Sequence, residues 1–205
     1  VFSVAVVVGL PVSNLRFSIR NFLLACLVVA PGLTSCGLPT QDKEVRNFVL
    51  TCVGADSGMH DSFRRLIHQY NTEAGIEALH YTTVESEANS PISLTQGLNM
   101  REGKVGWGQW LSETEERRSY LPAPKALRTT SYSMRLELDE DFVRMKINSI
   151  KDADKTDIRK LFYHEAGHGL QMVHDPEPSS VMYFDITGEK DFTKYFADVR
   201  SFFAQ

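Results

Sequence analysis

The sequence predicts an α+β domain with its strands early and its helices late, and three observations carry that expectation. Residues 131–139, SYSMRLELD, alternate strictly. Tyr132, Met134, Leu136 and Leu138 fall on one face and Ser133, Arg135 and Glu137 on the other, the period of a half-buried strand. HDSFRRLIHQYNTEAG, ending on Gly75, brings Phe63, Leu66, Ile67 and Tyr70 to one face at helical spacing. Two more helical segments close the chain, one starting near Asp154 or Thr156, either a competent N-cap, and one over about Asp191–Phe203.

The remaining elements follow in order. NFVLTCV (47–53) is a short apolar run of strand type, with Cys52 as a small hydrophobe inside it. The run from Gly54 to Gly58 leads into the first helix. ALHYTTVES (78–86) is rich in β-branched and aromatic residues, and Asn89-Ser90-Pro91 breaks it. KVGWGQWL (104–111) reads as another strand and LPAPKA (121–126) as a loop. The expected order is β-α-β-β-β-α-loop-α.

The chain has 205 residues and a net charge of −4. Arg16 and Arg20 are the only charges before residue 36. The rest therefore carries about −6, which argues against a nucleic-acid partner. Two arginines, the apolar run Phe22–Ala30 and then small residues have the layout of a secretory signal, too short to remain as a membrane span. The leading VFSVAVVVGLP precedes a signal that is already complete and is a candidate for an over-extended start. Leu33-Thr34-Ser35-Cys36 resembles the bacterial lipobox, which implies diacylation of Cys36 and durable anchoring. An ordinary secretory signal with a coincidental cysteine is the alternative. The expected organisation is a lipoprotein signal peptide over 1–35, a lipidated tether over 36–45 and a catalytic domain over 46–205. The expected location is the bacterial cell envelope, and Gly37, in place of aspartate, points to the outer membrane if the host is Gram-negative.

The stretch HEAGHGLQMVHDPEPSSVMY, His164 to Tyr183, carries the chemistry. At about 100° per residue, a helix over 156–170 turns Ile158, Leu161, Phe162, Gly169 and Leu170 inward. His164 and His168 then stand one turn apart at one edge of that stripe, able to reach a single ion. Glu165 falls in its middle, where burying a carboxylate without a partner costs several kcal/mol. Beside a divalent cation the same placement makes sense. A catalytic zinc takes three protein ligands and leaves a position for water. For His174 to be the third, the chain must leave the helix near Gly169–Gln171 and turn back. A continued helix would carry His174 roughly 9 Å onward and about 240° around the axis. Asp175-Pro176-Glu177-Pro178-Ser179-Ser180 forces a non-helical loop.

HExxHxxxxxH followed by Ser180-Val181-Met182-Tyr183 resembles the metzincin clan of zinc endopeptidases, with a spacing to the methionine similar to the matrixins. The resemblance covers about twenty residues. It implies a twisted mixed sheet over an active-site helix, a Met-turn and a C-terminal helix. It also implies one catalytic Zn2+ on His164, His168 and His174, Glu165 as general base, and Met182 under the site. Asp175 matches the residue found after the third histidine in the adamalysin branch. The clan's edge strand pairs with extended substrate, and residues 131–139 are the candidate for it. Two departures stand out. Gln171 occupies a position where the clan usually has glycine in a left-handed turn, at a cost of roughly 1–2 kcal/mol. Phe184 stands where astacins and serralysins place a metal-reaching tyrosine, so Tyr183 receives no catalytic role.

The expected function is therefore a zinc-dependent endopeptidase acting on protein or peptide substrates and held to the membrane by its lipid. One alternative is a gluzincin-like peptidase with Glu189 as third ligand, although Gly188 before it reads as a turn. The other is a non-enzymatic zinc-binding lipoprotein scaffold, which an intact Glu165 disfavours. His60, His68 and His80 read as ordinary surface or core histidines. The acidic run Leu138-Asp139-Glu140-Asp141 is a minor calcium candidate whose ordinary fate is solvation. Oligomeric state is left open.

Overall fold

The computed structural model describes residues 39–98, 105–120, 125–148 and 155–205. All of them fall in the unit Leu38–Gln205. The signal peptide expected over 1–35 and the lipidation site Cys36 lie outside the described residues.

Six strands form one sheet: β1 (Thr40–Val45), β2 (Phe48–Cys52), β3 (Leu79–Tyr81), β4 (Ser90–Thr95), β5 (Gly106–Ser119) and β6 (Lys125–Asp139). Four helices accompany them: α1 (Ser57–Ala74), α2 (Glu140–Asn148), α3 (Lys155–Gly169) and α4 (Phe192–Phe203). The fold is mixed α/β with a mostly parallel sheet. β3, β2, β4 and β6 lie side by side in parallel, and β5 pairs antiparallel with β6. β5 runs the length of one edge of β6, so β1 and β4 share the other edge in succession. β1 pairs at Ala126–Ser131 and β4 at Leu136–Asp139.

The local reasons are visible in the chain. β2 is central, and Phe48, Leu50 and Cys52 are wholly buried in it. Burial pushes the Cys52 thiol up to about 12, so it behaves as the small hydrophobe expected. Asp56 caps α1 by accepting from the Met59 N–H, and Gly75 ends the helix in a left-handed turn at φ 70°. The alternation in β6 holds, with Met134, Leu136 and Leu138 fully buried. Asp191 caps α4 through the Thr193 N–H. An aromatic cluster of Tyr70, Phe162, Tyr163, Tyr195 and Phe196 joins α1, α3 and α4, and the Tyr195 hydroxyl donates to the Tyr163 carbonyl at 2.6 Å.

Four expectations are corrected. The segregated α+β arrangement gives way to parallel pairing, with α1 crossing between the parallel neighbours β2 and β3. Residues 40–45, expected as tether, are strand β1. The break at Asn89-Ser90-Pro91 instead opens β4. Asn89 substitutes for a strand residue there, accepting from Val49 N–H at 2.9 Å and donating to the Asn47 carbonyl at 2.6 Å, and Pro91 lies in the strand's first turns of pairing. The acidic run at 138–141 starts α2 and makes no oxygen cage. Asp139 is buried and accepts from Phe142 N–H at 2.8 Å, while Glu140 pairs with Arg144 at 2.8 Å.

The sheet order also relocates the edge. Residues 131–139 belong to β6, an interior strand, and β5 holds the edge, with no further strand partner among the described residues. Gly106 and Gly108 let β5 lie directly against α3. A Cβ at Gly106 would sit 2.8 Å from Glu165 Oε1, and one at Gly108 would collide with the Glu165 carbonyl oxygen. Neither position has room for a side chain.

Candidate metal centre

α3 is buried almost all the way round, unlike an ordinary surface helix. Ile158, Leu161, Phe162, Tyr163, Ala166 and Leu170 are core residues, and His164 and Glu165 are each only 5% exposed. Its C-terminus then does what the sequence required. Gln171 has φ 66°, the sole non-glycine with positive φ among the described residues. The Gln171 N–H donates to the His168 carbonyl at 3.1 Å and the Met172 N–H to the Gly167 carbonyl at 2.9 Å. That pairing is the Schellman helix ending, and it reverses the chain.

The reversal brings His174 back. The Nε2 atoms lie 3.1 Å apart for His164 and His168, 3.2 Å for His168 and His174, and 3.3 Å for His174 and His164. His164 Nδ1 lies 2.8 Å from the Val181 carbonyl and His168 Nδ1 2.9 Å from the Met172 carbonyl. A carbonyl oxygen only accepts, so both Nδ1 atoms carry the proton. Burial pushes the His164 imidazole down to about 4 and lowers that of His168, which keeps both neutral near pH 7. Neutral rings protonated at Nδ1 present bare lone pairs at Nε2. The close approach of His164 and His168 therefore sets two acceptors against each other with no proton between them, a contact that a cation relieves. The three histidines form a group that could hold a metal ion.

Each ligand loop has its own support. Asp175 accepts from Lys194 at 2.6 Å and from Glu177 N–H at 3.0 Å, and the Asp175 N–H donates to the Met182 carbonyl at 3.0 Å. The Lys194 ammonium and the Glu177 N–H hold the Asp175 carboxyl below its usual range. The Ser180–Tyr183 turn closes through the Tyr183 N–H on the Ser180 carbonyl at 3.2 Å. Met182 is buried, its sulfur against Gly167 of α3, where a Cβ would collide with it.

A cavity of about 510 Å3 opens beside the histidines, lined by Glu165 and by the apolar Val105, Phe142, Leu161, Phe184 and Ile186 among others. The structure thus brings His164, His168, His174 and Glu165 to one site with Met182 behind them. Glu189 is exposed after Gly188 (φ 75°) and does not join the group. His60 instead hydrogen-bonds Tyr81 at 2.8 Å, and His68 and His80 are exposed. Sequence reasoning missed Gly106 and Gly108, although two glycines at i and i+2 in one strand mark a close approach on one face.

Gln171→Gly should leave the protein as stable or raise its unfolding free energy by roughly 0–1 kcal/mol, because glycine adopts the left-handed turn without a steric cost. Urea unfolding of both forms measures this. A loss beyond about 1 kcal/mol would show that the Gln171 side chain contributes contacts outweighing the strain.

No family model matches this chain, and no curated protein matches it.

Proposed function

We propose that this chain is a zinc-dependent endopeptidase with a metzincin-like catalytic domain, anchored in the bacterial cell envelope through a lipid on Cys36. The observation that carries the reading is the set of three Nε2 atoms facing one another, with two rings locked by Nδ1–H donation, next to a buried carboxylate.

The donor set fits zinc. Imidazole nitrogens about 2.0–2.1 Å from a tetrahedral ion would be about 3.3 Å from one another. The observed separations of 3.1 to 3.3 Å are close to that before any adjustment. Three neutral imidazoles suit Zn2+ and are a poor shell for Mg2+ or Ca2+, which take oxygen. Backbone carbonyls on the far ring nitrogens are the outer support such ligands ordinarily have. When bound, zinc supplies Lewis acidity toward a water molecule and a scissile carbonyl.

Glu165 provides the proton traffic. Its carboxylate takes a proton from the attacking water and returns it to the amine nitrogen as the C–N bond breaks. Gly106 lets β5 lie against that side chain, and Gly108 lets it lie against the Glu165 backbone. The free edge of β5 is suited to pair with an extended peptide, placing its backbone across the site. The apolar cavity beside Glu165 suits a bulky apolar side chain next to the scissile bond. The mostly parallel sheet with one antiparallel edge strand, the buried helix, the methionine turn and the last helix support the metzincin-like reading. The exposed place of Glu189 speaks against the gluzincin-like alternative.

Glu165→Ala should keep one zinc per chain and lose peptide hydrolysis by a factor on the order of 10² to 10⁴. His174→Ala should lose zinc affinity, and Glu189→Ala should not. Metal content and turnover on the same preparations decide it. Zinc lost from Glu165→Ala would make that residue a ligand, and a parent inactive on every peptide would favour a zinc-binding scaffold.

The anchor rests on Leu33-Thr34-Ser35-Cys36. No helix among the described residues is long and apolar enough to cross a membrane. Cys36→Ala should shift the protein out of the detergent phase in phase partitioning, and equal partitioning of both forms would sink the lipid anchor.

A further inference from the structure

Lysine is among the residues least often buried, yet two are buried here beneath the same loop. Lys160 is 8% exposed and Lys190 7%. Lys160 precedes His164 by one turn of α3, so Lys160, His164 and His168 form a row along the helix. Its ammonium donates to the Gly188 carbonyl. Lys190 donates to the Asp185 carbonyl at 2.6 Å and the Pro178 carbonyl at 2.8 Å, and it lies 5.1 Å from the Tyr183 ring centroid.

The loop between these anchors, Phe184 to Thr187, is one wall of the cavity beside Glu165. Ile186 packs against the hydrophobic core and the Phe184 ring lies against Tyr183, but the backbone of the loop has little support of its own. Among the described residues no backbone–backbone hydrogen bond involves residues 184–190, and the Asp185 side chain contributes a turn by accepting from Thr187 N–H at 2.9 Å. Phe184 is 70% exposed. Besides Ile186, two ammonium groups hold the backbone of this wall, one reaching from α3 and one from Lys190 just ahead of α4. Holding a charge out of water costs several kcal/mol unless its donors are satisfied. The carbonyls at 178, 185 and 188 are what satisfy these two.

We infer that Lys160 and Lys190 are positioning residues that set the width of the cavity, and so the preference of the site for the side chain next to the scissile bond. The inference rests on the endopeptidase reading. It is distinct from the chemistry, since neither lysine lines the cavity or joins the histidine group. Removing either ammonium frees the carbonyl it holds and lets the wall move, while the ligands stay on α3 and the turn after it.

The test uses the full chain in a Glu165→Ala background, so that affinity is read without cleavage. Two pairs of otherwise identical peptides carry leucine or alanine, one pair in the position before the scissile bond and one in the position after it, and the pair that the background protein discriminates is used. The background protein should favour the leucine peptide by about tenfold or more. Lys190→Met and Lys160→Met, which keep most of the apolar stem, should each bring that preference within about threefold. Both should retain one zinc per chain, and Lys190→Arg should restore much of the preference. Amide exchange should accelerate in residues 183–189 and stay unchanged in α1. An unaltered preference and unaltered exchange in both methionine variants would overturn the inference. Absence of any cleavage by the unmutated chain would overturn the endopeptidase reading instead, and the affinity ratio would still decide the role of the lysines.

Discussion

Two imidazole N–H groups donating to backbone carbonyls fix everything that matters at this site. A neutral ring that gives its Nδ1 proton to a carbonyl has one place left for its lone pair, and His164 and His168 both aim it at the same point. The acceptors, Val181 and Met172, lie on irregular segments after α3. Val181 is held by the turn at Ser180–Tyr183, and Met172 by the left-handed helix ending at Gln171. The strain at Gln171 is thus linked to the histidine group that could hold a metal ion. The turn that tolerates it supplies the carbonyl that orients His168 and also returns His174 to the group.

The sheet contributes position more than chemistry. β5 can serve as an edge next to the centre only because Gly106 and Gly108 remove the side chains that would keep it away from α3. The same contact helps bury Glu165, which is only 5% exposed. On the opposite side, buried lysines hold the irregular wall of the cavity. On the strand side β5 meets α3 with no side chain between them, and on the loop side ammonium–carbonyl contacts hold the wall.

The parts of this arrangement legible in the sequence are those set by local spacing. The i, i+4 histidines, the glutamate inside an apolar stripe and the required turn before His174 follow from helix geometry over a few residues, and the left-handed backbone at Gln171 from the family resemblance. The strand at residues 131–139, the helix end at Gly75 and the last helix over about Asp191–Phe203 were legible for the same reason. Sheet order was not, because it depends on pairing between distant segments. β6 alternates as an edge strand would, yet it is covered on both sides. TQDKEV has no apolar period to announce β1, and the proline in β4 reads as a break until Asn89 is seen completing the pairing. Lys160 and Lys190 look like surface charges in the sequence, and only the fold shows which carbonyls they meet.

X-ray absorption at the zinc edge, on the metal-loaded chain, tests the central claim most directly. The account predicts three imidazole nitrogens and one further light atom at about 2.0–2.1 Å, with no sulfur. Fewer than three imidazoles, a sulfur scatterer, or six oxygen neighbours would contradict it.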